Sequence, residues 1–336
     1  MSEKGAITSL QLARYRFHWR VKTPMRLPPY ASSTLRGVFG RALRQQVCLT
    51  RASHCQGCAM LAACPYPALF EPQSVPRPSG APPALAPYAI ETPFADAMLD
   101  PSTHRDYAPG EHYHFDMVLM TPAAIRQLVL IIGTWKAAFA LGVGPRDGKA
   151  ELHGVEHRPA DGPPNIIYSI QRPVLQTHWT ALCVPEFASP EDVHLSLQTP
   201  LRIEHRGKLI QEQDLHASLF LRHLIRRISF QVCAQQPHAF SLQDIHHLNA
   251  LADQVREGER RLSWHDWQRY SSRQQQKMKL GGLIGHWQLL QVPPQLLPFL
   301  YLGQWLHVGK ESAFGLGKYR WLQTGVDTGS KPCSPE

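Results

Sequence analysis

Four of the seven cysteines fall in one short stretch, Cys48-x6-Cys55-x2-Cys58-x5-Cys64. The tight Cys55-x2-Cys58 pair can chelate a single ion, and Cys48 and Cys64 stand at loop-closing distances on either side. Four thiolates suit a tetrahedral structural Zn²⁺, and a [4Fe–4S] cluster takes the same ligand set. Zinc is the expected cofactor, with iron–sulfur as the alternative and His54 able to replace one sulfur. With every position filled by protein, such an ion has no open site for catalysis and instead pins the surrounding chain. The bland alternative is a set of free thiols, and Cys183, Cys233 and Cys333 read as incidental.

A second cluster is glycine-rich: His307-Val308-Gly309-Lys310-Glu311-Ser312-Ala313-Phe314-Gly315-Leu316-Gly317-Lys318. Glycines let backbone N–H groups converge on an anion, and lysines supply counter-charge. The pattern G-x-x-x-x-G-K-[ST] is absent, so a nucleotide-type phosphate loop is excluded. The bland alternative is a turn that only returns the chain.

A third pattern lies near the N-terminus. Tyr15, Phe17, Trp19 and Val21 alternate with Arg14, Arg16, His18, Arg20 and Lys22, which gives a strand one apolar face and one basic face. With no interleaved carboxylate, those cations repel one another unless an anion covers them. Arg36, Arg41 and Arg44 add charge beside the next apolar stripe, as do Arg222, Arg226 and Arg227 in the second half. The net charge of +9 and the 18 histidines favour a polyanionic partner. The composition excludes a disordered or collagen-like chain. MSEKGAITSL lacks a signal-peptide core, and the longest apolar run, Leu128 to Val143, is broken by Lys136. A soluble, cytoplasmic protein without membrane partners is expected.

The elements that must position these groups repeat. Thr23-Pro24-Met25-Arg26-Leu27 is echoed by Thr199-Pro200-Leu201-Arg202-Ile203, 176 residues on. Gly142-Val143-Gly144 and Gly315-Leu316-Gly317 follow their Thr-Pro by 119 and 116 residues. Ser32, Ser33 or Thr34 should cap a helix whose stripe is Leu35, Val38, Phe39, Ala42 and Leu43. Ala217, Leu221, Leu224, Ile225 and Ile228 form the counterpart. Strands over His112 to Met120 and His286 to Val292 precede helices from Pro122 and Pro294. This order predicts an α+β protein of two tandem ferredoxin-like (RRM-like) βαββαβ domains, with the middle strands not placed and the four-cysteine metal-binding insertion in the first.

The expected domains are 1–158 and 191–322, joined by a linker and connecting segment at 159–190 and followed by a disordered tail, 323–336. The linker proper reads as Arg158 to Pro164. The first domain carries the cysteines at 48–64 and a loop, Pro65 to Pro109, whose 11 prolines argue against regular structure. The second adds a helix near Leu242 to Arg256 and a stretch Trp264-His265-Asp266-Trp267.

The glycine loop resembles that of the RAMP-superfamily endoribonucleases that cut precursor CRISPR RNA within its repeats. The resemblance extends to Tyr301-Leu302-Gly303-Gln304-Trp305-Leu306, to Arg269-Tyr270-Ser271-Ser272-Arg273-Gln274 with Gly281-Gly282-Leu283-Ile284-Gly285, to the Thr-Pro pair, and to Leu35-Arg36-Gly37-Val38-Phe39-Gly40. It implies two ferredoxin-like domains and metal-independent cleavage, in which a ribose 2′-OH attacks the adjacent phosphodiester to leave a 2′,3′-cyclic phosphate and a 5′-OH. The partner it implies is CRISPR repeat RNA, with other subunits of a CRISPR effector complex a further possibility, and it implies no catalytic metal. Such chemistry needs a base, an acid and a cation. Members often carry a histidine in or beside the first helix, whereas residues 31 to 47 here contain none. His307 is the preferred general acid or base, beside Lys310, with Tyr30 sharing proton transfer and His18 as fallback. Arg14, Arg16, Arg20, Lys22, Arg36, Arg41, Arg44, Tyr270, Arg273, Gly309, Ser312, Gly315, Gly317 and Lys318 are the expected RNA contacts. A non-catalytic RNA-binding RAMP subunit is the alternative, and a redox or DNA-processing protein rests on the cysteines alone.

Overall fold

In the computed structural model, residues 7–75, 85–93, 104–266, 268–271 and 276–322 are described. The chain divides into two compact units, Leu12–Thr180 and Met1–Gln11 with Ala181–Glu336. The first described strand, β1 (Ser9–Gln11), belongs to the latter.

The Leu12–Thr180 unit runs β2 (Ala13–Val21), β3 (Met25–Leu27), α1 (Ser32–Val47), α2 (Pro65–Leu69), β4 (Tyr88–Glu91), β5 (Arg105–Tyr107), β6 (His112–Leu119), α3 (Pro122–Arg126), α4 (Leu128–Leu141), β7 (Ala150–Arg158) and β8 (Asn165–Ser169). Its main sheet has the antiparallel order β4-β6-β2-β7-β8. Without β8 this is the strand order of a ferredoxin-like unit, with α1 and α4 as its two helices. Phe17 and Trp19 from β2, Phe115 from β6, Trp135 and Phe139 from α4 and Phe39 from α1 form its core. Within it Trp19 stacks on Phe139 with ring centroids 3.9 Å apart.

The second unit continues with β9 (Ala181–Cys183), β10 (Glu191–Leu201), β11 (Glu204–His205), β12 (Lys208–Leu209), α5 (Ala217–Gln235), α6 (Leu242–Ala252), β13 (Arg256–His265), β14 (Gln268–Ser271), β15 (Gln276–Lys279), β16 (Gly282–Val292), α7 (Leu297–Leu306) and β17 (Tyr319–Leu322). Its sheet order β13-β16-β10-β17 repeats the first unit's pattern strand for strand. Phe220 of α5 packs edge-on against Trp287 and Tyr319, and the Tyr319 hydroxyl donates to Leu300 O at 2.6 Å.

Several expectations change. The proline-rich loop is not structureless: Tyr88–Glu91 is a buried strand pairing with β6, placed where prolines on either side do not interrupt the ladder. Residues 76–84 and 94–103 of that loop, and the tail 323–336, lie outside the described residues. The segment assigned to a linker contains β8, which pairs with β7, so the first unit ends at Thr180 rather than near 158. Residues through Gln11 leave the first domain altogether, because β1 pairs with β9. Helix α1 starts after Ala31 with no side-chain cap; Ser32 is instead buried and bonds Thr92 Oγ1 at 3.0 Å.

One buried group gives the first unit a pH response. His157 is buried, with its ring 5.7 Å from that of Tyr15 and 4.9 Å from that of His178. Burial first, and the His178 ring second, push its imidazole down to about 4. The unfolded chain binds a proton near pH 6.5 that the folded chain refuses, so stability falls as pH drops from about 6.5 towards 4. The expected loss from this group is about 3 kcal/mol by pH 4. Urea midpoints at pH 7 and pH 4.5 should draw closer together in His157→Gln than in the parent; an equal separation refutes the assignment.

Candidate nucleic-acid interface

The glycine loop closes against the end of β10. Val308 N donates to Gly317 O at 3.0 Å, Lys310 N to Arg202 O at 2.8 Å, Gly317 N to Pro200 O at 3.0 Å and Lys318 N to Thr199 Oγ1 at 2.8 Å. The Thr199 hydroxyl donates to Gly315 O at 2.8 Å. These amides serve the loop's own closure. Gly309 and Gly317 have positive φ and approach backbone so closely that a Cβ would strike Arg202 O in one case and Val308 O in the other.

The first unit builds the same device. Val143 and Gly148 exchange backbone hydrogen bonds, Lys149 N donates to Thr23 Oγ1 at 2.9 Å, and a Cβ on Gly144 would strike Arg26 O. Gly142-Val143-Gly144 therefore corresponds to His307-Val308-Gly309, not to Gly315-Leu316-Gly317 as sequence spacing suggested. The second copy is longer because it carries the 3-10 turn Ser312–Phe314.

In this alignment His307 stands where the first copy has Gly142. Both have positive φ, 58° and 121°. His307 is wholly buried and its Nδ1 lies 3.2 Å from Leu316 O. The structure thus corrects the role expected of it: this ring staples the loop and offers no nitrogen to a surface-bound phosphodiester. Tyr30 is corrected likewise, being 1% exposed, with burial pushing its phenol well above the ordinary range.

His18 keeps a half-exposed side chain on the polar face of β2, with Nε2 3.3 Å from Glu156 Oε2 and His114 opposite it on β6. That face is not a bare cationic stripe. Arg14 pairs with Glu91 at 3.1 Å, Arg16 with Asp116 at 2.7 Å and Lys22 with Glu151 at 2.6 Å. Carboxylates on β4, β6 and β7 balance the cations, so no external anion is required to explain them. Arg20 is exposed on the same face.

The helix arginines divide by role. Arg36 lies over the Phe70 ring at 4.2 Å and donates to Phe70 O, Arg44 donates to Ala52 O, and Arg41 is exposed. On α5, Arg222 pairs with Asp253. Arg227 is buried, donating to Leu306 O at 2.6 Å; burial lowers its guanidinium to about 10, so it remains charged at neutral pH.

A basic hairpin escaped the sequence reading. Between β11 and β12 the chain turns at Arg206 and Gly207, both with positive φ. His205, Arg206 and Lys208 are exposed there, and Glu204 ion-pairs with the exposed Lys310 of the glycine loop. His223 of α5 lies near enough to Arg226 and His205 that, after burial, their charges lower its imidazole. The run His205-Arg206-Gly207-Lys208 was the available signal. Ser312 and Lys318 are half-buried; nothing is described of the Tyr270 side chain, and Arg273 lies outside the described residues.

Cys48, Cys55, Cys58 and Cys64 line one cavity of about 90 Å³, together with His54. Among the described residues no three His, Cys, Asp or Glu side chains converge into a group that could hold a metal ion. No helix among them is long and apolar enough to cross a membrane.

Residues 10–180 match the family model AF_1859_N, described as an N-terminal domain, and residues 195–319 match CRISPR-associated endoribonuclease Cas6. No curated protein matches the chain in sequence. Among solved structures, a Cas6 product complex is 14% identical at a TM-score of 0.55, over 93% of this chain and 99% of that one. Thermus thermophilus Cas6 is 13% identical at 0.52, over 95% and 100%. A partial Cas6-RT-Cas1–Cas2 complex is 15% identical at 0.52; the match covers 93% of this chain and 46% of that one. At these identities the likeness is one of fold.

Proposed function

We propose that the chain, whose residues 195–319 match the CRISPR-associated endoribonuclease Cas6 model, binds precursor CRISPR RNA and cuts it within the repeat without a catalytic metal. The 2′-oxygen attacks phosphorus as its proton passes to a base, and the 5′-oxygen leaves with a proton from an acid; a 2′,3′-cyclic phosphate and a 5′-OH result. The match of residues 195–319, which contain the glycine loop and the basic hairpin, to an endoribonuclease model carries this reading. His18, accessible and held by Glu156, is the proposed proton-transfer group in place of His307 and Tyr30, with Arg20 supplying positive charge on the same face. Arg206, Lys208 and Lys310 are proposed to grip phosphates.

Purified protein with labelled repeat RNA in EDTA should give a single cut, abolished by a 2′-deoxy substitution at one position. A second reading, an RNA-holding subunit that does not cut, is favoured by the burial of His307 and Tyr30; tight binding without cleavage would select it.

Charge pairing with the RNA backbone makes binding salt-dependent. The variant Arg206→Gln/Lys208→Gln should weaken binding and reduce the slope of log affinity against log salt by roughly 0.7 for each phosphate no longer neutralised. An unchanged slope removes the hairpin from the interface.

A further inference from the structure

The segment from Cys48 to Cys64 is folded without a core. None of its residues, all of them described, is buried, and Leu49 is 79% exposed. Yet it makes successive tight turns: Cys58 N donates to Cys55 O at 3.1 Å, Leu61 N to Cys58 O at 3.1 Å and Cys64 N to Met60 O at 2.9 Å. Ordering each residue costs about 1–2 kcal/mol, and a hydrogen bond returns only about 1. The turns alone do not hold this chain in place. Disulfides do not hold it either, since all four cysteines are free thiols.

We infer that the segment closes on one Zn²⁺ bound by Cys48, Cys55, Cys58 and Cys64, and that this ion ties the end of α1 to the start of α2. The four thiols already line one cavity. Cys55-Gln56-Gly57-Cys58 is a turn with φ +77° at its third residue, the conformation a type II turn demands. Open space surrounds Gly57, so its glycine serves the backbone rather than packing. Such a turn sets two cysteines at i and i+3, the spacing of a two-thiolate chelate. The thiols line the cavity without converging, and rotation about single Cα–Cβ bonds with a small contraction of the loop brings them onto the ion as their protons leave. Arg44 donates to Ala52 O within the segment and offsets part of the charge of four thiolates.

The position of the ion in the fold links it to Arg36. Cys48 follows the last turn of α1, and Cys64 is the N-cap of α2. Phe70, at the end of α2, packs on Gly40 of α1 so closely that no Cβ fits there, and its ring and carbonyl both hold Arg36. Closing the loop therefore fixes the direction of Arg36. Only this last step rests on the RNA-binding reading; metal binding itself is read out without RNA.

Elemental analysis of the full chain, purified under reducing, oxygen-free conditions, should find one zinc per chain. Cys55→Ser and Cys58→Ser should lose it, and Cys233→Ser should retain it. Removing the metal with a chelator should lower the melting temperature. Should the serine variants fail to fold, Co²⁺ titration of the metal-free parent decides instead, by the intense visible bands of tetrahedral thiolate cobalt. A metal-free protein with no such bands overturns the proposal. So do iron with acid-labile sulfide, and disulfides among these four cysteines under the same conditions.

Discussion

Gly317→Val is expected to destabilise the C-terminal unit by about 4 kcal/mol, enough to unfold a marginal domain. Gly317 sits at φ +70°, a region that costs an L-residue about 1–2 kcal/mol and a β-branched one more. A Cβ there would overlap the Val308 carbonyl oxygen, which is backbone and cannot swing aside. Relieving that overlap pulls Gly317 away from both its partners, Val308 N and Pro200 O, at about 1 kcal/mol or more for each bond left unmade. Urea unfolding followed by tryptophan fluorescence is the measurement, since Trp287 and Trp321 report on this unit. A transition at the parental midpoint would show that the glycine is not required by the loop's closure.

The same loop shows what the sequence reveals and what it hides. The Thr-Pro echo is legible because both copies make the same closure, in which each threonine hydroxyl accepts the amide of a lysine that follows a glycine, Lys149 in one unit and Lys318 in the other. The glycine correspondence was misread because the second copy carries the extra turn at Ser312–Phe314, which sets a second Gly-x-Gly where the spacing expected the first. Once the hydrogen bonds are matched, His307 aligns with a glycine and its burial is understood. The helices and outer strands follow from apolar periodicity, but β4 does not, since four residues between prolines carry too short a pattern. Cross-strand pairing is the other hidden layer. Arg14, Arg16 and Lys22 look unopposed along β2, and their carboxylates, Glu91, Asp116 and Glu151, lie 77, 100 and 129 positions away. Register, not spacing along the chain, decides which charges meet.

His18→Ala is expected to slow single-turnover cleavage of repeat RNA at neutral pH by 10²–10⁴-fold, the usual contribution of a positioned proton-transfer group. Of the three proton-transfer candidates, His307 and Tyr30 are buried and only His18 has a half-exposed side chain. Its Nε2 faces Glu156 Oε2 at 3.3 Å, so the carboxylate can orient the ring while the other nitrogen remains for proton transfer. Arg16 is committed to Asp116, and Arg20 remains exposed beside it to meet a phosphate. Measured at saturating protein, the rate reports the chemical step, and affinity for a 2′-deoxy repeat that cannot be cut reports binding separately. His18→Ala should leave that affinity within a few-fold of the parent. Glu156→Gln, which keeps the shape but loses the charge, should slow cleavage by a smaller factor, about 10-fold. If the alanine variant cuts at the parental rate, proton transfer does not pass through the polar face of β2; if both lose affinity together with rate, this pair holds RNA rather than moving a proton.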